Sequence, residues 1–146
     1  MITAKHLKKT YGNKVALNIE DIHIAKGESF GLVGNNGAGK TTFFRIILDL
    51  VEATEGEILI NNTPVVRNDD WKSYVGSFLD ENFLIDFLTV EEYFQFVGKL
   101  HHLTQEEITT FIDSMQDFFN GEINNSKKLI RDYSKGNQKK IGIVAA

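Results

Sequence analysis

The chain has 146 residues, enough for about one domain whose core needs no metal or disulfide staple. Its composition is that of an ordinary globular protein, 42% hydrophobic and 25% charged, with 11 Phe as core-forming bulk. The absence of cysteine excludes disulfides, thiolate metal sites and Cys nucleophiles and fits a reducing compartment, while a net charge of −4 argues against nucleic acid as a partner.

No run approaches the roughly 18 to 20 apolar residues that a bilayer crossing requires, and Met1–His6 carries no apolar core of a secretory signal. Any membrane role is therefore expected to run through a partner. Ala16–Ile24 nearly alternates apolar and polar residues, the period of a strand with one wet face. Lys26-Gly27-Glu28 supplies a turn, and Ser29-Phe30-Gly31-Leu32-Val33 is a short apolar run that predicts a strand buried on both faces. A glycine-rich loop, Gly34–Gly39, leads into Lys40–Leu48, apolar almost all round and so expected to be a buried helix. Gly56–Ile60 followed by Asn61-Asn62 predicts a strand entering a hairpin turn.

The second half changes character. Thr89-Val90-Glu91-Glu92 and Thr104-Gln105-Glu106-Glu107 are capping boxes. Each precedes apolar residues at helical spacing, Val90 to Leu100 in one case and Ile108 to Phe119 in the other. The expected class is α/β, with a β-rich unit over 1–86 that holds the glycine-rich loop and a helical subdomain over 87–146. Trp71 is expected to pack, and His6, His23, His101 and His102 have no chelating spacing.

Gly34-Asn35-Asn36-Gly37-Ala38-Gly39-Lys40-Thr41 satisfies G-x-x-x-x-G-K-[ST], between a predicted strand and a predicted helix. Glycines let backbone wrap closely around phosphate oxygens. The N–H groups of the loop and helix start then form an anion nest reinforced by the helix dipole. Lys40 is placed to bridge β- and γ-phosphates and the Thr41 hydroxyl to ligate Mg²⁺. These residues predict a nucleotide-binding protein.

The motif together with Thr42 resembles the Walker A loop of the ABC ATPases, G-x-N-G-A-G-K-[ST]-T. Tyr11-Gly12-Asn13-Lys14-Val15-Ala16-Leu17 is similar to that family's A-loop, and the resemblance implies that Tyr11 stacks on adenine. Tyr133-Ser134-Lys135-Gly136-Asn137-Gln138 resembles the signature L-S-G-G-Q, with Lys135 in place of the first Gly and Asn137 in place of Gln. Ser134 is expected to cap the helix that follows. The resemblance implies that Ser134, Lys135 and Gly136 meet the γ-phosphate held by a second ABC ATPase subunit. Val75–Glu81 aligns with the family's strand into the Q-loop and puts Asp80 where Gln is usual, a hard-oxygen candidate for Mg²⁺ in addition to Thr41, with Glu81 in that role if the register slips by one. Leu88-Thr89-Val90-Glu91-Glu92 matches the step into the helical subdomain.

What the resemblance implies is a P-loop NTPase core with an antiparallel β subdomain and a helical subdomain. Its ligands would be ATP and Mg²⁺, and its partners a transmembrane permease and a second ABC ATPase subunit. Its place would be the cytoplasmic face of the membrane. The family's Walker B strand, with its Mg²⁺-organising Asp and catalytic Glu, follows the signature helix and lies outside these 146 residues. Hydrolysis is thus expected of a longer parent and binding alone of this segment. A soluble ABC ATPase of translation or repair, and a nucleotide-binding module that does not hydrolyse, stand beside this reading.

Overall fold

A computed structural model describes residues 1–123 and 127–146. The chain divides into two compact units, Met1–Gly76 and Ser77–Ala146. Each unit has its own apolar cluster.

In the first unit, strands β1 (Ile2–Tyr11), β2 (Lys14–Ile24), β3 (Glu55–Ile60) and β4 (Thr63–Pro64) form one antiparallel sheet in the order β2-β1-β3-β4. Local sequence explains its turns. Asn61 and Asn62 take φ of 49° and 66°, the two left-handed residues that a primed hairpin turn needs, so Ile60 pairs with Thr63. His6 at φ 47° lies where the register of β1 against β3 shifts, between Lys5 and Lys8. This bulge lets Ala4 and Leu7, three apart, both point into the core, where simple alternation would expose one of them. Helix α1 (Lys40–Ile47) packs Phe43, Ile46 and Ile47 into the same cluster as Leu17 and Ile58. Trp71 is buried and its Nε1–H donates to the Val65 carbonyl, as a buried indole requires.

Two expectations are corrected here. Ser29–Val33 forms no strand, and Val33 is 95% exposed. A strand needs a neighbour for its backbone groups, and the sheet among the described residues does not include this run. The helix after the loop is buried on one side only, with Phe44 40% exposed.

In the second unit, α2 (Val90–Leu100), α3 (Gln105–Ser114), α4 (Gln116–Phe119) and α5 (Lys135–Ala145) enclose a core of Phe94, Ile108, Phe119, Ile130 and Ile141. The apolar run expected over 108–119 is broken at Met115. There the Ser114 hydroxyl donates to the Phe111 carbonyl, offering the backbone an alternative to the helical ladder. Both capping boxes form. Thr89 Oγ1 accepts from the Glu92 N–H at 3.3 Å while Glu92 Oε2 accepts from the Thr89 N–H at 2.8 Å. Thr104 and Glu107 repeat the arrangement.

The boxes give the fold an acid dependence. The backbone N–H of Thr89, then its hydroxyl, hold the Glu92 carboxyl below its ordinary value of 4.5, and Thr104 does the same for Glu107. A carboxyl lowered in the folded state stabilises above its unfolded value, and that contribution is lost as pH falls from 4.5 through the folded value. Glu92→Gln combined with Glu107→Gln keeps the bonding shape without the charge. It is expected to flatten the fall of melting temperature below pH 4.5; an unchanged slope would assign the acid loss to other groups.

Candidate functional site

The glycine-rich loop is placed by β2 on one side and α1 on the other. β2 carries one residue too many for its partner, since Lys9 pairs with Leu17 and Thr10 with Val15, leaving Ala16 as a bulge. The Ala16 carbonyl lies against Gly39: a β-carbon on Gly39 would sit 2.4 Å from it, and Gly39 adopts φ 89°. Only glycine fits there. Gly39 is the N-cap of α1, with no side chain bonded to the first-turn N–H groups and no acidic residue in that turn. The positive end of the helix is therefore left to an outside anion. Within the loop, the Ala38 N–H donates to the Asn35 carbonyl at 3.1 Å. Lys40 Nζ folds back over the loop and donates to the carbonyls of Gly34 and Asn35, the latter at 2.8 Å. The ammonium thus sits at the mouth of the nest with one of its three N–H groups outside these bonds.

Tyr11 reaches the same place by a separate route. It ends β1 and pairs with Lys14 across the Gly12-Asn13 turn. Tyr11, Lys14, Gly37, Lys40, Thr41 and Thr42 share the wall of one open cleft of about 300 Å³. Tyr11 is 51% exposed, and the Lys9 ammonium lies 5.0 Å from its ring centroid. A ring, a hydroxyl pair and an ammonium around an anion nest are what a purine nucleotide with phosphates requires.

The second unit holds the remaining candidates. Asp80 is extended, and its Oδ1 accepts from the Asn82 N–H at 2.8 Å, capping a short 3-10 turn over Glu81–Phe83. Asp80 and Thr41 belong to different units. Among the described residues, three or more His, Asp or Glu do not gather at any one point. Ser134 caps α5, its Oγ accepting from the Asn137 N–H at 3.2 Å. Lys135 and Gly136 follow, both exposed. A β-carbon on Gly136 would meet only the Ser134 Oγ, at 3.8 Å, so packing inside the chain does not account for glycine there. Gly142, on the same helix, is the opposite case, because a β-carbon would strike the Phe78 ring at 2.0 Å.

Gln138 was not singled out from sequence. It is buried, and its Nε2 reaches the carbonyls of Ile130, Arg131 and Tyr133 at 3.2, 3.3 and 3.1 Å. It thereby fixes the turn that delivers Ser134 to the start of α5. Its position three residues before the buried Ile141 was the available signal. Lys135 Nζ lies 3.2 Å from Gln138 Oε1 and 3.3 Å from Glu81 Oε1. The Glu81 N–H, and after it Lys135, hold the Glu81 carboxyl below the usual carboxylate range.

Comparison with known proteins bears on these features together. Residues 17–146 match the family described as "ABC transporter". The chain is 34% identical over 146 residues to an uncharacterized ABC transporter ATP-binding protein of Bacillus subtilis, YhaQ, covering 100% of this chain and 48% of that protein. It spans about half the length of several of the curated relatives it matches. Among solved structures, the dimeric bacterial ABC transporter cassette MJ0796 superposes with a TM-score of 0.82 at 26% identity, over 99% of this chain and 68% of that one. A post-hydrolysis dimer of the same cassette, bound to ADP and Pi, gives 0.79 at 26% identity, over the same shares of both chains. The mixed α/β fold, its antiparallel sheet, its glycine-rich loop and these matches agree, and the chain belongs to the ABC transporter family.

Proposed function

We propose that this chain is the nucleotide-gripping part of an ATPase subunit that powers transport across a membrane through a separate permease. The observation that carries the reading is the convergence of Tyr11, Lys40, Thr41 and Thr42 on one cleft beside an uncapped, acid-free helix start. In this reading Gly34, Asn35, Asn36, Gly37, Ala38 and Gly39 wrap the phosphates with backbone N–H groups. Lys40 spans the β- and γ-phosphates, Thr42 lines the phosphate end, and Tyr11 stacks on the adenine. Thr41, through its hydroxyl, and Asp80, through its carboxylate, would hold Mg²⁺. Bound Mg²⁺ supplies neutralisation of the charge that develops on the transferring phosphoryl group.

Ser134, Lys135 and Gly136 are assigned to the γ-phosphate held by a second copy. The open space at Gly136 and the exposed Lys135 ammonium support this. Such a protein works at the cytoplasmic face of its membrane, held there by the permease; no helix among the described residues is long and apolar enough to cross a bilayer.

Stacking has a definite size. Tyr11→Ala is expected to weaken ATP by about 1 to 3 kcal/mol, the scale of one base on an aromatic ring, and to weaken inorganic triphosphate little. Equal losses for both ligands would remove Tyr11 from the base.

The function itself is tested by ATP turnover in the full-length protein. Mg²⁺-dependent hydrolysis is expected, with Asp80→Asn raising the Mg²⁺ needed for half-maximal rate more than it raises the KM for ATP. Tight ATP binding without turnover would make the protein a nucleotide-binding module. An unchanged Mg²⁺ titration would leave Asp80 as the cap of its 3-10 turn.

A further inference from the structure

Lys135 is the one residue of the helix-start site whose side chain already has an acidic partner. Its Nζ is 3.3 Å from Glu81 Oε1 and 3.2 Å from Gln138 Oε1. The two holders are themselves fixed. Gln138 is buried and anchored through its Nε2 to three carbonyls. Glu81 is 21% exposed and sits in the 3-10 turn that Asp80 caps. Lys135 is 70% exposed, so its ammonium faces solvent on the side away from them. Lys139 adds a second positive charge near Glu81.

We propose that Glu81 is a brake on the helix-start site: its carboxylate neutralises Lys135 and opposes the approach of a triphosphate carried by a second copy of the chain. The proposal rests on the reading of Ser134, Lys135 and Gly136 as a phosphate site. The sign follows from charge. An incoming triphosphate is anionic, so it is repelled by Glu81 whether Lys135 stays on its tether or swings away. Gln138 holds Lys135 through a neutral amide and contributes no such repulsion. Glu81→Gln therefore separates the two effects, because an amide oxygen still accepts from the Lys135 ammonium while the negative charge is gone. The ion pair is partly solvated, which limits the brake to a modest factor.

The test uses the full-length protein and adenylyl imidodiphosphate, a slowly hydrolysed ATP analogue, with self-association followed by sedimentation. Glu81→Gln is expected to tighten the analogue-dependent dimer about two- to five-fold. The same change in a Lys135→Met background is expected to tighten it as well, because the carboxylate repels the triphosphate with or without its partner, and Lys135→Met alone is expected to loosen the dimer. A role of Glu81 in folding alone would not tighten the dimer in either background. If Lys135→Met loosens the dimer but Glu81→Gln leaves it unchanged or looser, the brake is overturned and the phosphate reading stands. If the analogue drives no association, or if Lys135→Met has no effect on it, the phosphate reading falls and takes the brake with it.

Discussion

Lys40→Ala is expected to remove most of the affinity for ATP, about 2 to 3 kcal/mol, or roughly 30- to 150-fold in Kd. The reasoning is electrostatic and local. Lys40 is the cation at the mouth of a nest built from Gly34–Gly39, and its Nζ already reaches the carbonyls of Gly34 and Asn35. A hydrogen bond from an ammonium to a phosphate oxygen is charge-assisted on both sides, so its loss is large compared with a neutral contact. The fold should survive, because the ammonium is not part of the apolar cluster formed by Phe43, Ile46 and Ile47. Titration calorimetry with an unchanged far-ultraviolet spectrum separates the two effects. Near-normal ATP affinity in the variant would refute the phosphate loop.

Gly39→Ala is expected to damage both stability and binding, by at least about 2 kcal/mol of folding free energy and tenfold in ATP affinity. Two independent penalties coincide at this residue. Its φ of 89° lies in the left-handed region that a β-carbon disfavours. The new methyl would also stand 2.4 Å from the Ala16 carbonyl and 3.1 Å from Leu17 Cδ1. Ala16 is the bulge of β2, held between the pairs Lys9–Leu17 and Thr10–Val15, so backbone and not a flexible side chain has to yield. The loop is expected to move off β2 and lose the alignment of its N–H groups. A variant with wild-type melting temperature and wild-type ATP affinity would show that the close approach does not matter.

Much of this architecture was legible because its causes are short-range. The Asn61-Asn62 turn, the two capping boxes and the Ser134 cap each depend on residues within three positions of one another, and each formed as read. The proposed phosphate loop is local in the same way, because its motif occupies nine consecutive residues, Gly34 to Thr42. What sequence could not supply depends on neighbours far along the chain. Ser29–Val33 has the composition of a buried strand, yet a strand is defined by its partners, and the described sheet provides none for it. Met115 interrupts a run with helical periodicity because the Ser114 hydroxyl takes a carbonyl, a choice that periodicity does not encode. Gln138 is, by sequence, one more polar residue after Ser134. Its burial follows from three carbonyls of the preceding turn closing on its amide. Glu81 and Lys135 lie 54 positions apart in sequence (135 − 81), and only the fold brings them into contact.

In the function proposed, one cleft lined by Tyr11, Lys40, Thr41 and Thr42 holds a nucleotide by its base and its phosphates. A structure of the full-length protein with Mg-ATP tests it most directly. Phosphate oxygens are expected within hydrogen-bond reach of the backbone N–H groups of Gly37 to Thr42, Lys40 Nζ on the β- and γ-phosphates, and the adenine against the Tyr11 ring. Nucleotide bound elsewhere, or bound with its phosphates away from that loop, would contradict it.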